Sequence, residues 1–547
     1  MKQRRIVIVL AIVAASLVTG AWLLQREGAP PASAYQQARA FDDVLAHVAD
    51  FYVDSIDEGR LYQMAIDGLL DQLHDPYSTF LKPDDFRSLS EQTSGNYGGL
   101  GLQIDVRDNW ITVVAPLPDS PAERAGIQSG DLIVGLDGRS TEGWKNDQAV
   151  KELRGTPGTQ VELKVRRAGV DQPLAFKLTR ATIHMHSVQL AMMLDDHVGY
   201  IALSPVSESS AQEVQEAVDS LMKAGMKSLI FDLRGNPGGL LNQGIKVSEL
   251  FLDPGQEVVS TRGRAPDANR VARDSDKQLW PQLPIVTLVN GGTASAAEII
   301  AGALQDHDRS LVIGTPTFGK GLVQSLYPFT QNPPTALKLT TARWYTPSGR
   351  TIQRKSKSEE DQEAQVAAQA VAPVGAAGHD TTKVDSSLVF HTDMGRTVLG
   401  GGGIRPDIFV AVDTYTTAER NFMKALGNKI PIFRDVLSTY ALELKAGHLV
   451  ASPTFTVTPA MVNQVVTRLH ARGALTSDSV VTGGARGLIA DELGYEAARY
   501  SFGRSAEFRR RMGDDTQAKE ALHFARQAKT PADLLASAPA SSVQPPK

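Results

Sequence analysis

The sequence predicts a multidomain protein of the α/β class, on three observations. The chain has 547 residues, 42% of them hydrophobic, which suffices for several domains with large cores. Glycine-rich, alternating segments between residues 97 and 181 predict a small domain of β-strands. Between residues 182 and 350, strand patterns alternate with amphipathic helix patterns, which indicates a layered sheet with crossover helices.

Composition excludes several kinds of site. The chain contains 61 acidic and 56 basic residues, a net charge of −5, and no cysteine. The absence of cysteine excludes disulfides, zinc–thiolate sites, iron–sulfur clusters and a thiol nucleophile. The mild acidity argues against a nucleic-acid partner. We expect no metal or other cofactor, and a covalent hydrolase with this sequence would need an oxygen or nitrogen nucleophile.

The N-terminus predicts export. A basic end precedes an uncharged, mostly apolar run of 19 residues, 6–24. Signal-peptide cores span about 7–15 residues and membrane helices about 17–25, so a cleaved signal and an uncleaved inner-membrane anchor both remain open. A small-residue cleavage motif lies at 32–34. Residues 1–34 carry a net charge of +3, which leaves −8 on a body predicted to be periplasmic.

Residues 35–96 predict a small N-terminal helical domain without chemistry of its own. Apolar residues recur at helical spacing in two runs, and the turn-forming sequence HDPYS then ends the pattern. The two runs hold Phe41, Val44, Leu45 and Val48, and then Leu61, Met64, Ala65, Leu69 and Leu70.

The segment from 97 to 181 resembles a PDZ domain. It enters its first strand through the sequence GGLGLQI and continues with SPAERAGIQSGDLIVGLDG, a string typical of the PDZ domains found in proteases. In such domains a bound peptide adds a strand to the sheet. The resemblance implies that the backbone N–H groups of Leu100, Gly101 and Leu102 bind the terminal carboxylate of a peptide.

Three glycine-framed segments carry the candidate chemistry. The first reads FDLRGNPGG over 231–239, and its backbone N–H groups suit either a developing negative charge or a phosphate. The second, VNGGTASAAEII over 289–300, places Ser295 in the first turn of a helix, as an N-cap or as a nucleophile. The third, PTFGKGLVQ over 316–324, sets Lys320 between glycines, as a solvated lysine or as a functional one.

Together, in order and spacing, the three segments resemble the carboxyl-terminal processing proteases, serine peptidases with a PDZ domain before a Ser/Lys core. The resemblance covers about residues 40–410 and assigns the nucleophile to Ser295, the base to Lys320 and a supporting role to Gln324. It implies a crotonase/ClpP-like α/β core over 182–354 and 388–412. Members usually carry serine where this chain has threonine at 293 and alanine at 297.

The mechanism places demands on the lysine. A serine attacks a peptide carbonyl only when a base accepts its proton, and a lysine must be neutral to be that base. Since the ordinary pKa of lysine is about 10.4, its surroundings must disfavour the charge. Phe318, the flanking glycines and the absence of an acid in the local sequence suit this demand. Gln324 is near enough along the chain to hydrogen-bond the amine without charging it.

The sequence also suggests how the oxyanion would be stabilised. We expect the N–H of Ala296 to be one donor and the N–H of Gly238 or Gly239 to be the second. Asp306 is interpreted as structural, because a Ser/Lys pair needs no third acid.

The remaining segments predict a disordered insertion at 355–387, a C-terminal helical region at 413–530 and a disordered tail at 531–547. The helical region would assemble subunits or bind an adaptor protein, and the sequence does not choose between them. Arg154, at the end of the predicted PDZ helix, is our candidate for a regulatory residue that couples the PDZ domain to the core.

Three other interpretations compete with a Ser/Lys peptidase. A PDZ scaffold with an inactive core is the main alternative, and a crotonase-type acyl-CoA enzyme is disfavoured by export. A serine triad would need a histidine, but His184, His186 and His197 lie in no comparable motif. His184 and His186 form a possible metal pair without a clear third ligand, so we expect ordinary hydrogen-bonded histidines.

Overall fold

The computed structural model describes residues 34–167, 169–330, 333–354 and 388–537. The predicted export segment up to residue 33, the predicted insertion at 355–387 and the last ten residues lie outside the described residues. The described residues form two compact units, those within 1–82 and 326–340 and those within 83–325 and 341–547. Among the helices described, none has the length and apolar character needed to cross a membrane.

The first unit contains both helices predicted near the N-terminus. They are α1 (Ala34–Phe51) and α2 (Glu58–Asp71), and Asp57 caps α2 by accepting a hydrogen bond from the Arg60 N–H. Strand β1 (Thr79–Leu81) pairs antiparallel with the first part of β18 (Thr335–Tyr345). The predicted end of the helical pattern before β1 is confirmed. A local turn lies there, in which Ser78 Oγ donates to Asp75 Oδ2 at 2.6 Å.

A helix and a short strand precede the β domain of the second unit. Helix α3 (Pro83–Ser94) leads into β2 (Asn96–Gly99), which pairs antiparallel with β9 (Ala181–His184). The strand and helix bounds of the domain are β3 (Leu102–Arg107), β4 (Trp110–Pro116), α4 (Pro121–Arg124), β5 (Leu132–Leu136), β6 (Arg139–Ser140), α5 (Asn146–Leu153), β7 (Gln160–Arg166) and β8 (Leu174–Thr179).

The sheet of this domain has the strand order β3-β4-β5-β7-β8, with β6 paired to β5. Its core consists of inward-facing apolar side chains, such as Ile111, Ile133 and Leu163, which are fully buried. Strand β3 lies at an edge, since β4 is its sole partner among the described strands. An edge strand retains unpaired backbone groups and can accept an added strand.

The largest core surrounds a six-stranded sheet of order β10-β11-β12-β15-β16-β21. Strand β10 is antiparallel to β11, and all other pairs are parallel, as the predicted alternation of strands and helices requires. The bounds are β10 (Val188–Met193), β11 (Val198–Leu203), α6 (Ser210–Lys223), β12 (Ser228–Asp232), α7 (Leu241–Glu249), β15 (Ile285–Val289), α8 (Ala296–Asp306), β16 (Leu311–Gly314) and β21 (Ile408–Phe409).

Smaller strands border this sheet. Strand β13 (Glu257–Gly263) pairs with β14 (Arg270–Arg273) and with the second part of β18, to which β17 (Leu322–Phe329) also pairs. A short hairpin joins β19 (Val389–His391) to β20 (Thr397–Leu399).

The C-terminal region is helical, as its sequence predicts. Its helices are α9 (Thr417–Leu426), α10 (Ile430–Ala446), α11 (Pro459–Ala471), α12 (Gly483–Phe502), α13 (Arg504–Asp514), α14 (Thr516–Gln527) and α15 (Pro531–Ala536). The first four share a core of their own, in which Phe422, Val465 and Ile489 are buried.

The last three helices cover one face of the six-stranded sheet. Helices α6, α7 and α8 cover the face that bears Phe231, whereas Phe524 and Leu534 pack on the face that bears Ile230. Ile230 and Phe231 are neighbours on β12 and therefore point to opposite faces of the sheet. Because helices cover both faces, the sheet is buried on both sides. The prediction of a disordered tail from 531 is wrong for α15, because Leu534 and its neighbour Leu535 are buried against this face.

Candidate active site

Ser295 lies where a buried strand turns sharply into a buried helix. Strand β15 is fully buried, a short loop follows, and Ser295 is the N-cap residue of α8. Its φ of 55° and ψ of −120° are unusual for a residue with a side chain. Strain of this kind is found where surrounding structure fixes a functional residue.

The glycine-rich 231–239 segment packs directly against this turn. A side chain at Gly238 would place its Cβ atom 2.5 Å from the Ala294 carbonyl oxygen and 2.8 Å from Ser295 Cβ. Gly238 also has a φ of 85°, so glycine is required for both reasons. The Ala294 N–H donates to the Asn236 carbonyl at 2.9 Å, which joins the first two predicted segments.

Two backbone N–H groups beside Ser295 are available for an anion. Within the described residues, neither the Ala296 N–H nor the Gly239 N–H donates a hydrogen bond. Ala296 is the first residue of α8, where the helix dipole favours negative charge. The Gly238 N–H, by contrast, donates to Asn236 Oδ1 at 2.9 Å. Of the two glycines predicted as second donor, Gly239 is therefore the better placed.

A buried carboxylate joins the serine turn to the lysine segment. Glu298 Oε2 accepts the Ser295 N–H at 2.8 Å and the Lys320 N–H at 2.9 Å, so the two backbones meet at one oxygen atom. Glu298 Oε1 accepts the Gly319 N–H at 2.7 Å and the Thr317 hydroxyl. The structure thus brings the second and third predicted segments together through Glu298.

The ionisation of Glu298 reflects two opposed effects. Burial raises the pKa of the Glu298 carboxyl above its ordinary value, while hydrogen bonds from Thr317, Lys320, Gly319 and Ser295 act to lower it. Three of these four contacts come from backbone N–H groups, which can only donate. The geometry therefore favours the carboxylate form, against the effect of burial.

Replacing Glu298 with glutamine is expected to lower kcat by at least about 10-fold. The amide has an NH₂ donor where the carboxylate has its second acceptor oxygen, so the backbone of either the serine turn or the lysine segment loses its acceptor and is misplaced. KM and peptide affinity should be retained, since the PDZ domain is untouched. Steady-state kinetics of Glu298→Gln, with Glu216→Gln at an exposed position of α6 as control, measure this. An unchanged kcat in a folded Glu298→Gln protein would contradict the positioning role.

The surroundings of Lys320 differ from those that the sequence suggested. The expectation that Phe318 helps to bury the lysine is wrong, because Phe318 is 44% exposed. A large buried neighbour is Trp344, whose indole Nε1–H donates to the Lys320 carbonyl at 3.0 Å. The local sequence around Lys320 contains no acid, as expected. The fold nevertheless brings an acid to this segment, because Glu298 accepts the Lys320 N–H.

Gln324 lies on β17, and its Nε2 atom is buried without a hydrogen-bond partner among the described residues. An unpaired buried amide costs about 1–3 kcal/mol, so such a donor is unusual in a purely structural position. Neutral amines and carbonyl oxygens can both accept from it, which is compatible with its predicted role beside the lysine.

The predicted peptide-binding loop has the expected features. The carbonyls of Leu100 and Gly101 accept hydrogen bonds from the N–H groups of Ala122 and Leu117, at 3.0 and 2.8 Å. Within the described residues, the N–H groups of Leu100 and Gly101 donate no hydrogen bond themselves. Leu102 then begins the edge strand β3, so a loop with two free N–H groups leads into an open strand edge.

Arg154 caps α5 and contacts the segment before the PDZ-like domain. Its guanidinium forms an ion pair with Glu91 on α3 and lies over the Tyr97 ring, 4.6 Å from the ring centroid. Burial raises the pKa of the Tyr97 hydroxyl, and the positive charge of Arg154 opposes that rise. Arg154 thereby ties the PDZ-like helix to α3 and β2.

Asp306 and His197, which were also considered from the sequence, are not part of the candidate active site. Asp306 is 1% exposed and forms a buried ion pair with Arg350, at 2.6 Å, as a structural role requires. His197 is exposed in the turn before β11.

Comparison with known proteins identifies the family. A model of peptidase family S41 matches residues 197–363, a PDZ domain model matches 112–167, and a model described as the activating protease CtpB N-terminal domain matches 21–84. A carboxy-terminal-processing protease of Bartonella bacilliformis is 41% identical over 325 residues, which cover 58% of this chain and 73% of the relative. The chain belongs to the carboxy-terminal processing proteases of peptidase family S41.

Further relatives include the carboxy-terminal processing protease CtpA of Bacillus subtilis, 36% identical over 64% of this chain and 74% of the relative. Among solved structures, a photosystem II D1 C-terminal processing protease is 29% identical over 57% of this chain and 89% of that chain, with a TM-score of 0.33. The predictions of a PDZ domain, a carboxyl-terminal processing protease core and a serine-type peptidase are confirmed.

Sequence reasoning missed two residues of this S41 peptidase. Glu298 and Thr317 hold its serine and lysine segments together, although neither belongs to the predicted Ser/Lys/Gln set. A signal was present, because Ser295 and Glu298 have the spacing of a capping box, in which the acid bonds back to the N-cap N–H. The sequence held no comparable signal for Thr317.

Proposed function

We propose that this protein is an endopeptidase of the bacterial envelope that binds substrates by their carboxyl termini and cleaves them with Ser295 as nucleophile and Lys320 as general base. The observation that carries the proposal is the shared contact at Glu298 Oε2, which draws the serine turn and the lysine segment together. Attack by Ser295 Oγ on a peptide carbonyl transfers the serine proton to a neutral Lys320 amine.

The tetrahedral intermediate that follows carries a negative oxygen. The Ala296 N–H at the start of α8 and the Gly239 N–H are the proposed donors to that oxygen. Gln324 is proposed to accept an N–H of the neutral amine at Oε1, which orients the lysine without adding charge and leaves the single lone pair of its nitrogen for the serine proton. The protonated lysine then returns its proton to the leaving amine, and water hydrolyses the acyl-enzyme.

The PDZ domain is proposed to select the substrate. A free terminal carboxylate would bind at the N–H groups of Leu100, Gly101 and Leu102, and the preceding residues would pair with the open edge of β3. Arg154 is proposed to couple peptide binding at the PDZ domain to helix α3 through its ion pair with Glu91. The variant Arg154→Ala would then lose turnover and keep peptide affinity, and a pure loss of affinity would contradict this coupling.

The compartment and assembly are part of the proposal. The basic N-terminus and the apolar run 6–24 support export, with the body in the periplasm or held at the inner membrane. The helices α9–α12, which have their own core, are proposed as the surface for an adaptor protein or a second copy of the chain.

A substrate with a blocked terminus tests tail recognition. A long peptide with apolar terminal residues is compared with the same peptide ending in an amide. Since hydrogen bonds to a charged group contribute about 1.5–3 kcal/mol, amidation should lower kcat/KM by about 10-fold or more. Cleavage is followed by mass spectrometry, with Ser295→Ala as the blank. Equal rates for both peptides would refute recognition of the terminus and leave the nucleophile unaffected.

A further inference from the structure

Two histidines and a glutamate converge away from the serine turn. His184 ends β9, His186 follows two residues later, and Glu213 lies in the first turn of α6. Their potential ligand atoms all lie within 4.8 Å of one another. His184 Nε2 is 2.8 Å from Glu213 Oε1, and His186 Nδ1 is 3.6 Å from Glu213 Oε2. The structure thus supplies the third ligand that the histidine pair lacked in the sequence.

The orientation of the His184 ring is fixed by a contact at Nδ1, the nitrogen that does not face Glu213. Its Nδ1 atom is 3.2 Å from Asn96 Oδ1, and the Asn96 amide is itself oriented because its Nδ2–H donates to the Ser94 carbonyl at 2.9 Å. The tautomer with its proton on Nδ1 can donate to Asn96 Oδ1 and keeps the Nε2 lone pair for a metal ion. An imidazole held by an oxygen acceptor at one nitrogen, with the other directed at a common point, is the usual arrangement of a metal ligand.

With the proton on Nδ1, the lone pair on His184 Nε2 faces Glu213 Oε1 at a distance of 2.8 Å. A cation at this point would be bound by both atoms. The neighbouring His186 ring lies edge-on, with its centroid 4.7 Å from that of His184, and offers a further nitrogen at the same place.

The glutamate is held in its charged form. Glu213 is 11% exposed, and its oxygens accept from Ser209 Oγ at 2.5 Å and from the Val188 N–H at 2.9 Å. Burial acts to raise the pKa of the Glu213 carboxyl. Hydrogen bonds from Ser209 Oγ and the Val188 N–H act against burial, and this pKa lies below its ordinary value. An ionised, oriented carboxylate is therefore present at neutral pH.

We propose that His184, His186 and Glu213 form a zinc-binding site. Two imidazole nitrogens and one carboxylate oxygen match the ligand preference of Zn²⁺, with water at the fourth position. Zinc bonds of about 2.0–2.2 Å place neighbouring ligand atoms roughly 3.3 Å apart, so small side-chain adjustments complete the site. His186 can make them, because its side chain is 63% exposed.

The position of the site suggests what the ion does. Strand β9 follows β8, the last strand of the PDZ domain, and α6 is the first helix of the peptidase core. A bound ion would fasten the chain that leaves the PDZ domain to the core. This inference does not depend on the proposed catalytic residues, and it replaces the sequence expectation that the protein holds no metal.

Zinc titration of the full chain tests the site. Protein stripped with a chelator and dialysed is titrated with zinc chloride by calorimetry, and one Zn²⁺ per chain is expected. His186→Ala and Glu213→Gln should each weaken binding by at least about 10-fold. His197→Ala, which changes an exposed histidine outside the cluster, should bind like the wild type. Loss of one site in both cluster variants supports the proposal.

Thermal unfolding provides a second measurement. Zinc should raise the unfolding midpoint of the wild type and of His197→Ala but not that of His186→Ala, because only a formed site binds the folded state preferentially. Magnesium, which prefers oxygen ligands, should have no such effect. No stoichiometric binding to the wild type, or equal binding by His186→Ala, would overturn the proposal and leave His184 as an ordinary hydrogen-bond partner of Glu213.

Discussion

Replacing Ser295 with alanine is expected to abolish peptide cleavage, with a fall in kcat of at least about 10³-fold. Alanine removes Oγ, the only atom of the side chain that can attack a carbonyl, and it keeps Cβ. The strained turn at φ 55° and the contact with Gly238 should therefore persist, and the variant should fold normally.

The measurement compares wild type and Ser295→Ala on an unfolded test protein with an apolar carboxyl terminus. Ser275→Ala, at an exposed serine remote in sequence from the site, is the matched control and should retain wild-type activity. Binding of a terminal peptide should be equal in all three proteins. If wild type and Ser295→Ala cleave at the same rate, or if neither cleaves, Ser295 is not the nucleophile of this peptidase.

Replacing Lys320 with methionine is expected to lower kcat by about 10²–10⁴-fold, the usual contribution of a general base. Methionine has a similar length but no titratable nitrogen. In the wild type, the protonated amine cannot accept the serine proton, so kcat/KM should rise with pH until the lysine is neutral and should then level off. The residual activity of Lys320→Met should lack this rise.

The pH profile is measured with a substrate that has no titratable group near the cleaved bond. Lys246→Met, at an exposed lysine on α7, is the control and should show the wild-type profile. Equal activity of Lys320→Met and wild type would refute the role of Lys320 as the base. A wild-type profile that falls towards alkaline pH would contradict it independently.

Much of the fold follows from local patterns. The alternation predicted between residues 182 and 350 is present: the buried apolar run Ile285–Val289 forms a strand, and the amphipathic segment Ser210–Lys223 forms a helix. These elements are predictable because strand and helix periodicity directly determine which side chains can be buried. The PDZ domain was predictable for a different reason, since its turns need glycine and aspartate at particular positions in the chain.

The exceptions all depend on distant neighbours. Phe318 is apolar, but its position leaves it partly exposed, while Trp344 supplies buried surface from another strand. The segment Pro531–Ala536 has the composition of a tail, yet Leu534 and Leu535 find an apolar sheet face that composition does not reveal. Periodicity describes one segment at a time, so it cannot indicate which other segment will cover it.

The sequence by itself determined the class of chemistry. With no cysteine available, a covalent nucleophile must carry oxygen or nitrogen, and the resemblance of its glycine-framed motifs to the carboxyl-terminal processing proteases predicts Ser295 as nucleophile and Lys320 as base. Only the tertiary structure decided what holds these residues together. Glu298 joins the serine and lysine segments, and Glu213 joins two histidines, since a carboxylate has oxygens enough to bind groups that lie far apart in sequence.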